Sequence, residues 1–582
     1  MSSKKRTRKS KKDSFHGGDA LLQAIIKEDI DYVFGIPGGE FIDFLEALDR
    51  RENEHNDIHY IGVRHEQAAG NMADAYARVS GKVSVCCATV GPGFADLIPG
   101  VAPAHFDNVP ILVVHPQMDK KFDDHHRLQQ GLDQLAMMKP IVKYQKSIDN
   151  PNRIIWGAQK CFKELYSGCP NPVELQIRED AFHSQVEAFG QKILEPRQYR
   201  NIHPPAGNPE AIKEAVKILK TAEKPMIVSG GGVASSGAWK IMRKISLEYG
   251  IPACTTVMGI GTISSESETF IGATLNGGGV FNSARDTDVI LALGTKFSFI
   301  LGYGKPPIWN ANAKVIQVDI DPLMLGKNRP IDVGILGDCR VVLEQLYNEM
   351  KKAKIEKFPE EWLAEAVKQR KDAIEMEQNK MKSDKTPIHP LRLVNDITEF
   401  MEPEDILCTD GGDITTMLTT HVDFTKPRAP RTYLTSIGFG HLGVGIPYAI
   451  GAKLAKPSAK VLNLSGDGSV LFNIQELYTA VSYGIPFVCV VADNCSWGMI
   501  KNNEKSTWRR RESFCVDLDE TGFVSIAKGF GCYAEKVDNP TEIKPALKRA
   551  FDSKKPALIH VPIKFVSPEG TQMLKMMRKL KF

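Results

Sequence analysis

The sequence contains no apolar run approaching the roughly 20 residues that a membrane-crossing helix needs. Its longest, around Pro110–Val114 and Phe487–Ala492, have the length of a buried strand, so no membrane span is expected. Net charge is equally scarce. The 74 Lys and Arg side chains face 70 Asp and Glu, and a balance of +4 over 582 residues gives no general attraction to nucleic acid. Paired cysteine motifs are missing. The 11 cysteines stand singly apart from Cys86–Cys87, with no CxxC, which suits buried thiols in a reducing, cytoplasmic setting and excludes a disulfide scaffold. Seven basic side chains lie between Lys4 and Lys12 with no apolar stretch behind them, so residues 1–14 read as a basic disordered tail, not a secretory signal.

What the chain does have is the composition of a globular protein, 42% hydrophobic and 25% charged, and enough length for about three to five domains. From Ala20 onward one rhythm repeats: a short β-branched run, a Gly or Pro turn, then apolar residues at helical spacing. Candidate strands are Tyr32–Phe34, Ile58–Val63, Val83–Cys87 and Ile111–Val114, with Glu66–Val79 an amphipathic segment between them. The expected class is α/β, with three doubly wound domains built on parallel sheets. After Asp180 the rhythm is lost through Pro196, Pro204 and Pro205. A second unit starts at Pro225, with Met226–Ser229 a strand, Gly230–Gly232 a turn and Ala238–Tyr249 a helix. Lys351–Lys385 reads as a solvated helical linker, rich in Lys and Glu with few apolar anchors. The expected boundaries are therefore 15–190, 205–350, a linker at 351–388, 389–565, and a basic tail at 566–582 whose Met573, Met576 and Met577 suit an apolar groove.

Val461–Trp497 is the most informative stretch. It reads as strand, Gly466-Asp467-Gly468-Ser469, helix (Asn473–Tyr483), turn, strand (Phe487–Ala492), then Asp493-Asn494. In a βαβ unit the two strands run parallel and end on the same sheet edge, which brings Asp467 and Asn494 together. Their oxygens suit a hard cation such as Mg²⁺, which is shared readily with phosphates. Gly466 and Gly468 allow close backbone approach to an anion, and the N–H groups that follow, Ser469 included, face it. A magnesium-bridged diphosphate fits; the plainer reading of Gly-Asp-Gly alone is a turn.

This arrangement resembles the thiamine diphosphate signature, which opens with Gly-Asp-Gly and closes with Asn after about thirty residues. The resemblance implies a third metal ligand, the backbone carbonyl of Ser496. Where the family usually has Asn-Asn, this chain has Asp493-Asn494. Further motifs extend the likeness: Phe34-Gly-Ile-Pro37-Gly38-Gly39, Arg64-His-Glu66, Ala73–Arg78 with Gly81-Lys82, and Gly91-Pro-Gly93. Over most of residues 18–565 the chain resembles acetolactate synthase and related 2-oxoacid decarboxylases. That likeness implies pyrimidine-binding, middle and diphosphate-binding domains in that order. Pro37, Gly38 and Gly91 then fall on the pyrimidine side. Glu66 becomes the carboxyl that hydrogen-bonds the aminopyrimidine N1′ and favours its imino tautomer, an interaction that burial strengthens. In isolation, a Glu in a first helical turn needs only the helix dipole to explain it. The family pairs the pyrimidine site of one subunit with the diphosphate site of another, implying a homodimer or homotetramer. Gly438–Pro447 matches the segment that keeps the cofactor bent, with Leu442 as the apolar wedge and the Gly440 carbonyl receiving the 4′-amino group. Gly411 and Gly412, after the strand Asp405–Thr409, match diphosphate contacts, and Trp497-Gly498 would lie over the cofactor.

Substrate selection is less distinct. The polar segment Asp123–Gly131 reads as an active-site loop. Counting back from Lys143 aligns Gln130 with a glutamine near the reacting carbon of acetolactate synthases. His125 and His126 resemble the paired histidines that handle protons in pyruvate decarboxylase, although two loop histidines are also ordinary solvated side chains. The glutamate that pyruvate decarboxylase carries after its metal-binding Asn is replaced by Ile500. In acetolactate synthase the middle domain binds FAD. Here Gly230–Gly232 and Val315–Pro322 offer a candidate surface, but Gly272–Val280 departs from the flavin pattern, so FAD and a ligand-free domain both stay open.

The resulting expectation is thiamine diphosphate- and Mg²⁺-dependent decarboxylation of a small 2-oxoacid, pyruvate first, with carboligation to an acceptor. A 2-hydroxyacyl-CoA lyase, a sulfoacetaldehyde acetyltransferase and a simple 2-oxoacid decarboxylase are the enzymatic alternatives, and an inactive regulatory homologue the non-enzymatic one. A nicotinamide-dependent dehydrogenase is disfavoured, since no GxGxxG follows the first strand.

Overall fold

A computed structural model of the chain describes residues 15–125, 132–187, 193–273, 279–506 and 512–566. Chain contacts divide it into two compact units: residues up to 74 with 82–202, and 75–81 with 203 onward. The division falls in the Pro-rich stretch, at Ile202/His203.

The first unit holds one six-stranded sheet: β1 (Tyr32–Gly35), β2 (His59–Gly62), β3 (Ser84–Cys87), β4 (Ile111–Gln117), β5 (Tyr144–Ile148) and β6 (Val173–Arg178), in the order 2-1-3-4-6-5. The second unit holds two more. One consists of β7 (Pro225–Ser229), β8 (Ala253–Thr255), β9 (Phe270–Ala273), β10 (Val289–Leu293), β11 (Lys314–Asp319) and β12 (Val333–Leu336), ordered 12-11-10-7-8-9. The other consists of β13 (Ile406–Asp410), β14 (Tyr433–Leu434), β15 (Val461–Gly466), β16 (Val488–Asp493), β17 (Tyr533–Lys536) and β18 (Ala557–Pro562), ordered 14-13-15-16-18-17. The strands of all three pair in parallel. The α/β expectation with three parallel sheets is met.

The apolar runs explain the parallel pairing. Every residue of β16 is buried, as a strand covered by helices on both faces requires. An apolar cluster runs from Met226 and Ile290 in the middle sheet through Ala366 and Met381 to Leu464 and Val490 in the last. The expected linker is the 22-residue helix Glu360–Met381. It is mostly solvated but better anchored than its composition suggests: Trp362, Ala366 and Met381 are buried, and Trp362 Nε1 donates to the Pro225 carbonyl at 2.9 Å.

Two local expectations change. Gly231–Ser236 is a short helix, not a turn. The helix expected from Asn473 starts only at Glu476, after a separate turn of helix at Asp467–Val470. Residues 473–475 make turn-type bonds instead, the Glu476, Leu477 and Tyr478 N–H groups each donating to the carbonyl three residues back, while the Asn473 side chain donates to the Gly443 carbonyl at 2.8 Å. Eight of the 11 cysteines are buried as expected; Cys495 and Cys515 are exposed and Cys169 lies between. Among the described residues no helix is long and apolar enough to cross a membrane.

Candidate active site

In an open parallel sheet a crevice forms where successive connections leave in opposite directions, outside the carboxyl ends of the two central strands. The orders above put that point between β1 and β3 in the first sheet and between β13 and β15 in the last. The segments leaving those four strands are Gly35–Gly38, Ala88–Gly93, Asp410–Gly412 and Gly466–Ser469, all carrying residues expected from the sequence.

In the last sheet, β15 and β16 pair with Gly466 opposite Ala492, so Asp467 and Asn494 leave adjacent strand ends. Ser496 connects them: its backbone N–H donates to Asp467 Oδ2 at 3.1 Å and its hydroxyl to Asn494 Oδ1 at 2.9 Å. Three oxygen-bearing residues thus converge. Asp493 lies against them. Burial pushes the Asp467 carboxyl up, and the neighbouring Asp493 carboxylate adds to this. Burial acts on Asp493 too, but His560 Nε2, at 2.8 Å from its Oδ2, holds it down. Among the described residues no three His, Cys, Asp or Glu side chains form a metal cluster. The set here is one carboxylate with amide and backbone oxygens, which suits a hard cation better than a soft one.

Glycine backbones form the surroundings. Gly411, at φ +124°, faces the Gly466 N–H and the Ser469 hydroxyl, each 3.3 Å from where a Cβ would stand. A Cβ at Gly468 would lie 2.6 Å from the Trp497 ring, so this indole packs closely against the Gly-Asp-Gly turn. One at Gly498 would lie 3.0 Å from both Asn494 Nδ2 and Asp413 Oδ2. Gly412 precedes the helix Asp413–His421. Asp413, pushed up to about 6 by burial, takes a hydrogen bond from Asn502, while its Oδ1 is buried without a partner among the described residues. Crowded carboxylates and an unsatisfied buried oxygen beside glycine-lined space are what a site for a cation and a polar ligand presents.

Gly440, at φ +77°, is exposed with nothing within 4 Å of a Cβ, and Leu442 is half-buried. This leucine is not simply core. Its frame is held by Asp410, which accepts the N–H groups of Gly443 and Gly445. Ser469 hydroxyl donates to the Asp410 carbonyl at 3.3 Å, joining this frame to the Gly-Asp-Gly turn.

In the first sheet, Glu66 opens the helix Glu66–Ser80 and is 9% exposed. Burial pushes its carboxyl above the usual range, and Asp96 adds to this; a backbone hydrogen bond and His65 oppose it. Gly38, beside the exposed Pro37, abuts Thr89, whose hydroxyl oxygen would be 2.4 Å from a Cβ there. A Cβ at Gly93 would lie 2.9 Å from Glu66 Oε1. Gly91, at φ +72°, precedes the helix Pro92–Phe106. Glu66, Gly38 and Gly91 thus belong to one corner. His125 lies in an exposed turn, its Nδ1 2.9 Å from the Asp123 carbonyl oxygen. His126 and Gln130 lie outside the described residues.

Three residues of these sites went unread in sequence: Asp410, Asp493 and His560. Asp410 directly precedes the Gly411-Gly412 pair, but its partners lie 33 and 35 residues away. The departure from Asn-Asn marked Asp493 as unusual; nothing local marked His560.

Comparison with known proteins identifies the class. Residues 15–137 match the thiamine pyrophosphate enzyme N-terminal TPP binding domain, 212–346 its central domain, and 410–561 its C-terminal TPP binding domain. The chain belongs to the thiamine pyrophosphate enzyme family, together with acetolactate synthase large subunits. It is similar to the probable acetolactate synthase large subunit of Methanocaldococcus jannaschii, 34% identical over 556 residues covering 94% of this chain and 92% of that protein. The corresponding Methanococcus aeolicus protein is 33% identical over 564 residues, with the same coverage. The Haemophilus influenzae acetolactate synthase large subunit is 31% identical over 545 residues, 92% of each chain.

Proposed function

We propose that this enzyme decarboxylates a 2-oxoacid, pyruvate, and joins the two-carbon unit to an acceptor carbonyl, with thiamine diphosphate and Mg²⁺. The names of the relatives support acetolactate as product. The observation that carries the reading is the hydrogen-bonded convergence of Asp467, Asn494 and Ser496 at adjacent strand ends.

When bound, thiamine diphosphate supplies an acidic ring carbon and an electron sink for breaking the bond beside a carbonyl. Asp467, the Asn494 amide oxygen and the Ser496 carbonyl would hold the cation. Gly411, Gly412, Gly466, Gly468 and Ser469 would admit the phosphates, bordered by Trp497 and Gly498. Pro37, Gly38 and Gly91 would line the pyrimidine side. There Glu66, kept protonated to higher pH by burial, would share a proton with N1′. Leu442 would support the bent cofactor and the Gly440 carbonyl its amino group. Toward substrate we assign Gln130, with His125 and His126 handling protons. Two copies of the chain would complete each site, as a homodimer or a homotetramer. Domains at 15–190, 205–350 and 389–565, the last two joined by the linker 351–388, would each carry one of the three sheets. The middle strand order, read as 3-2-1-4-5-6, supports a dinucleotide such as FAD beside Gly230–Gly232. Visible absorbance of the purified protein tests that ligand. Eleven scattered cysteines with no CxxC support a cytoplasmic setting.

Incubation with labelled pyruvate, thiamine diphosphate and Mg²⁺, followed by NMR of the products, tests the reading. Labelled acetolactate is expected. Acetaldehyde as the sole product indicates a simple decarboxylase, and no consumption of pyruvate overturns the donor assignment.

A further inference from the structure

Behind the Gly91–Gly93 turn lies a row of buried polar side chains that the chemistry above does not use. His115 on β4 and Glu174 on β6 are 0% exposed and Gln134 is 1% exposed. The Gly91 backbone N–H donates to Gln134 Oε1 at 2.8 Å. Because a backbone N–H is only a donor, this contact fixes the amide: its oxygen faces Gly91 and its NH₂ faces the other way. There Gln134 Nε2 meets the Pro116 carbonyl at 2.9 Å and His115 Nδ1 at 3.0 Å. The neutral tautomer that serves both the Gln134 and the Glu174 contacts has Nδ1 accepting and the ring proton on Nε2, 2.7 Å from Glu174 Oε1, while Nδ1 also lies 3.2 Å from the Pro116 carbonyl oxygen. Gln145 Nε2 donates to the other Glu174 oxygen. Each orientation in this row follows from its neighbour.

The row ends at the turn that touches Glu66. A methyl group at Gly93 would lie 2.9 Å from Glu66 Oε1, so two residues beyond the Gln134 contact the backbone forms the wall of that carboxyl. Only an amide at position 134 can accept from Gly91 while donating to Pro116 and His115; a carboxylate lacks the donors and an alkyl chain lacks both.

We propose that Gln134 is a positioning residue for Glu66. Its amide, oriented by His115 and Glu174, holds the Gly91–Gly93 turn against the Glu66 carboxyl and fixes where that carboxyl meets the pyrimidine ring. The inference rests on the reading of Glu66 given above. It is tested with Gln134→Met, which keeps the shape of the side chain, and with Glu174→Gln, which keeps the size but turns an NH₂ toward one of the two donors, His115 Nε2 or Gln145 Nε2, at a distance from the turn; Glu66→Gln is run in parallel. Hydrogen–deuterium exchange on the full chain without cofactor reports the turn. Exchange of the ring-carbon proton of bound thiamine diphosphate reports Glu66.

In Gln134→Met the amides of residues 89–94 are expected to exchange about tenfold faster. The ring proton is expected to exchange about tenfold slower, with KM for the 2-oxoacid and cofactor affinity within about twofold of wild type. Glu174→Gln moves the same readouts the same way by a smaller factor, and it decides the matter if Gln134→Met does not fold. Slow ring-proton exchange in Glu66→Gln together with wild-type exchange in the folded Gln134 or Glu174 variant overturns the positioning role and leaves Glu66 standing. Unchanged exchange in Glu66→Gln overturns both.

Discussion

Gly443 donates its backbone N–H to both carboxylate oxygens of Asp410, 33 residues earlier in the chain, at 3.1 Å each. Gly445 donates to the same side chain at 3.1 Å. One buried carboxylate therefore ties the end of β13 to the glycine frame around Leu442. Asp410→Ala would leave these N–H groups buried without an acceptor, a loss of about 2–4 kcal/mol. The variant is expected to unfold at lower urea concentration and to bind thiamine diphosphate more weakly in calorimetry. Wild-type affinity would show that the frame holds itself.

The same residue gives stability a slope with pH. Burial pushes the Asp410 carboxyl from 3.8 up to about 7, against the pull of the Gly445, Gly443 and Gly411 N–H groups. Between those values the native chain binds more protons than the unfolded chain. Stability therefore falls as pH rises through this window and levels off above it. Asp410→Asn cannot titrate, so its stability should decline less, by on the order of 4 kcal/mol across the window. Urea midpoints measured at several pH values between about 4 and 8 check this; parallel curves for the two proteins would exclude Asp410 as the source.

Asn494 offers a cleaner test of the cation than Asp467, whose carboxylate also receives the Gly468 and Ser496 N–H groups. Asn494 is half-buried and its oxygen takes one hydroxyl. Asn494→Ala should cost no more than about 1 kcal/mol of stability. In the presence of Mg²⁺ its affinity for thiamine diphosphate should fall tens of fold, toward that of the wild type in a chelator. Calorimetry with and without Mg²⁺ makes the comparison. An undiminished response to Mg²⁺ in the variant would remove Asn494 from the ligand set.

The parts of this architecture visible in the sequence were those carried by local pattern. Apolar runs marked β15 and β16, and the βαβ rule alone was enough to bring Asp467 beside Asn494. Side-chain pairings across long separations left no such trace. Gln134 lies four positions from Gln130, the glutamine that alignment favoured, and only the folded chain joins it to Gly91 and His115. Strand order was hidden for the same reason. The middle sheet differs from the other two in order although its apolar periodicity is the same, because periodicity reports burial of faces and not which strand lies next to which.

Leu442 and Leu464 separate packing from function. Leu464 is 0% exposed on β15, and truncation to Ala should cost about 2–5 kcal/mol through lost burial and the cavity left behind. Leu442 is half-buried beside exposed Gly440, so the same truncation removes few contacts and should cost under about 1 kcal/mol. If Leu442 supports the bent cofactor, Leu442→Ala nevertheless loses turnover about tenfold or more, because a misaligned reactive carbon is penalised steeply. Urea denaturation and steady-state kinetics on both variants decide between the roles. Wild-type turnover in Leu442→Ala, or a loss of stability matching that of Leu464→Ala, would make Leu442 an ordinary packing residue and leave the cofactor's bend to the backbone alone.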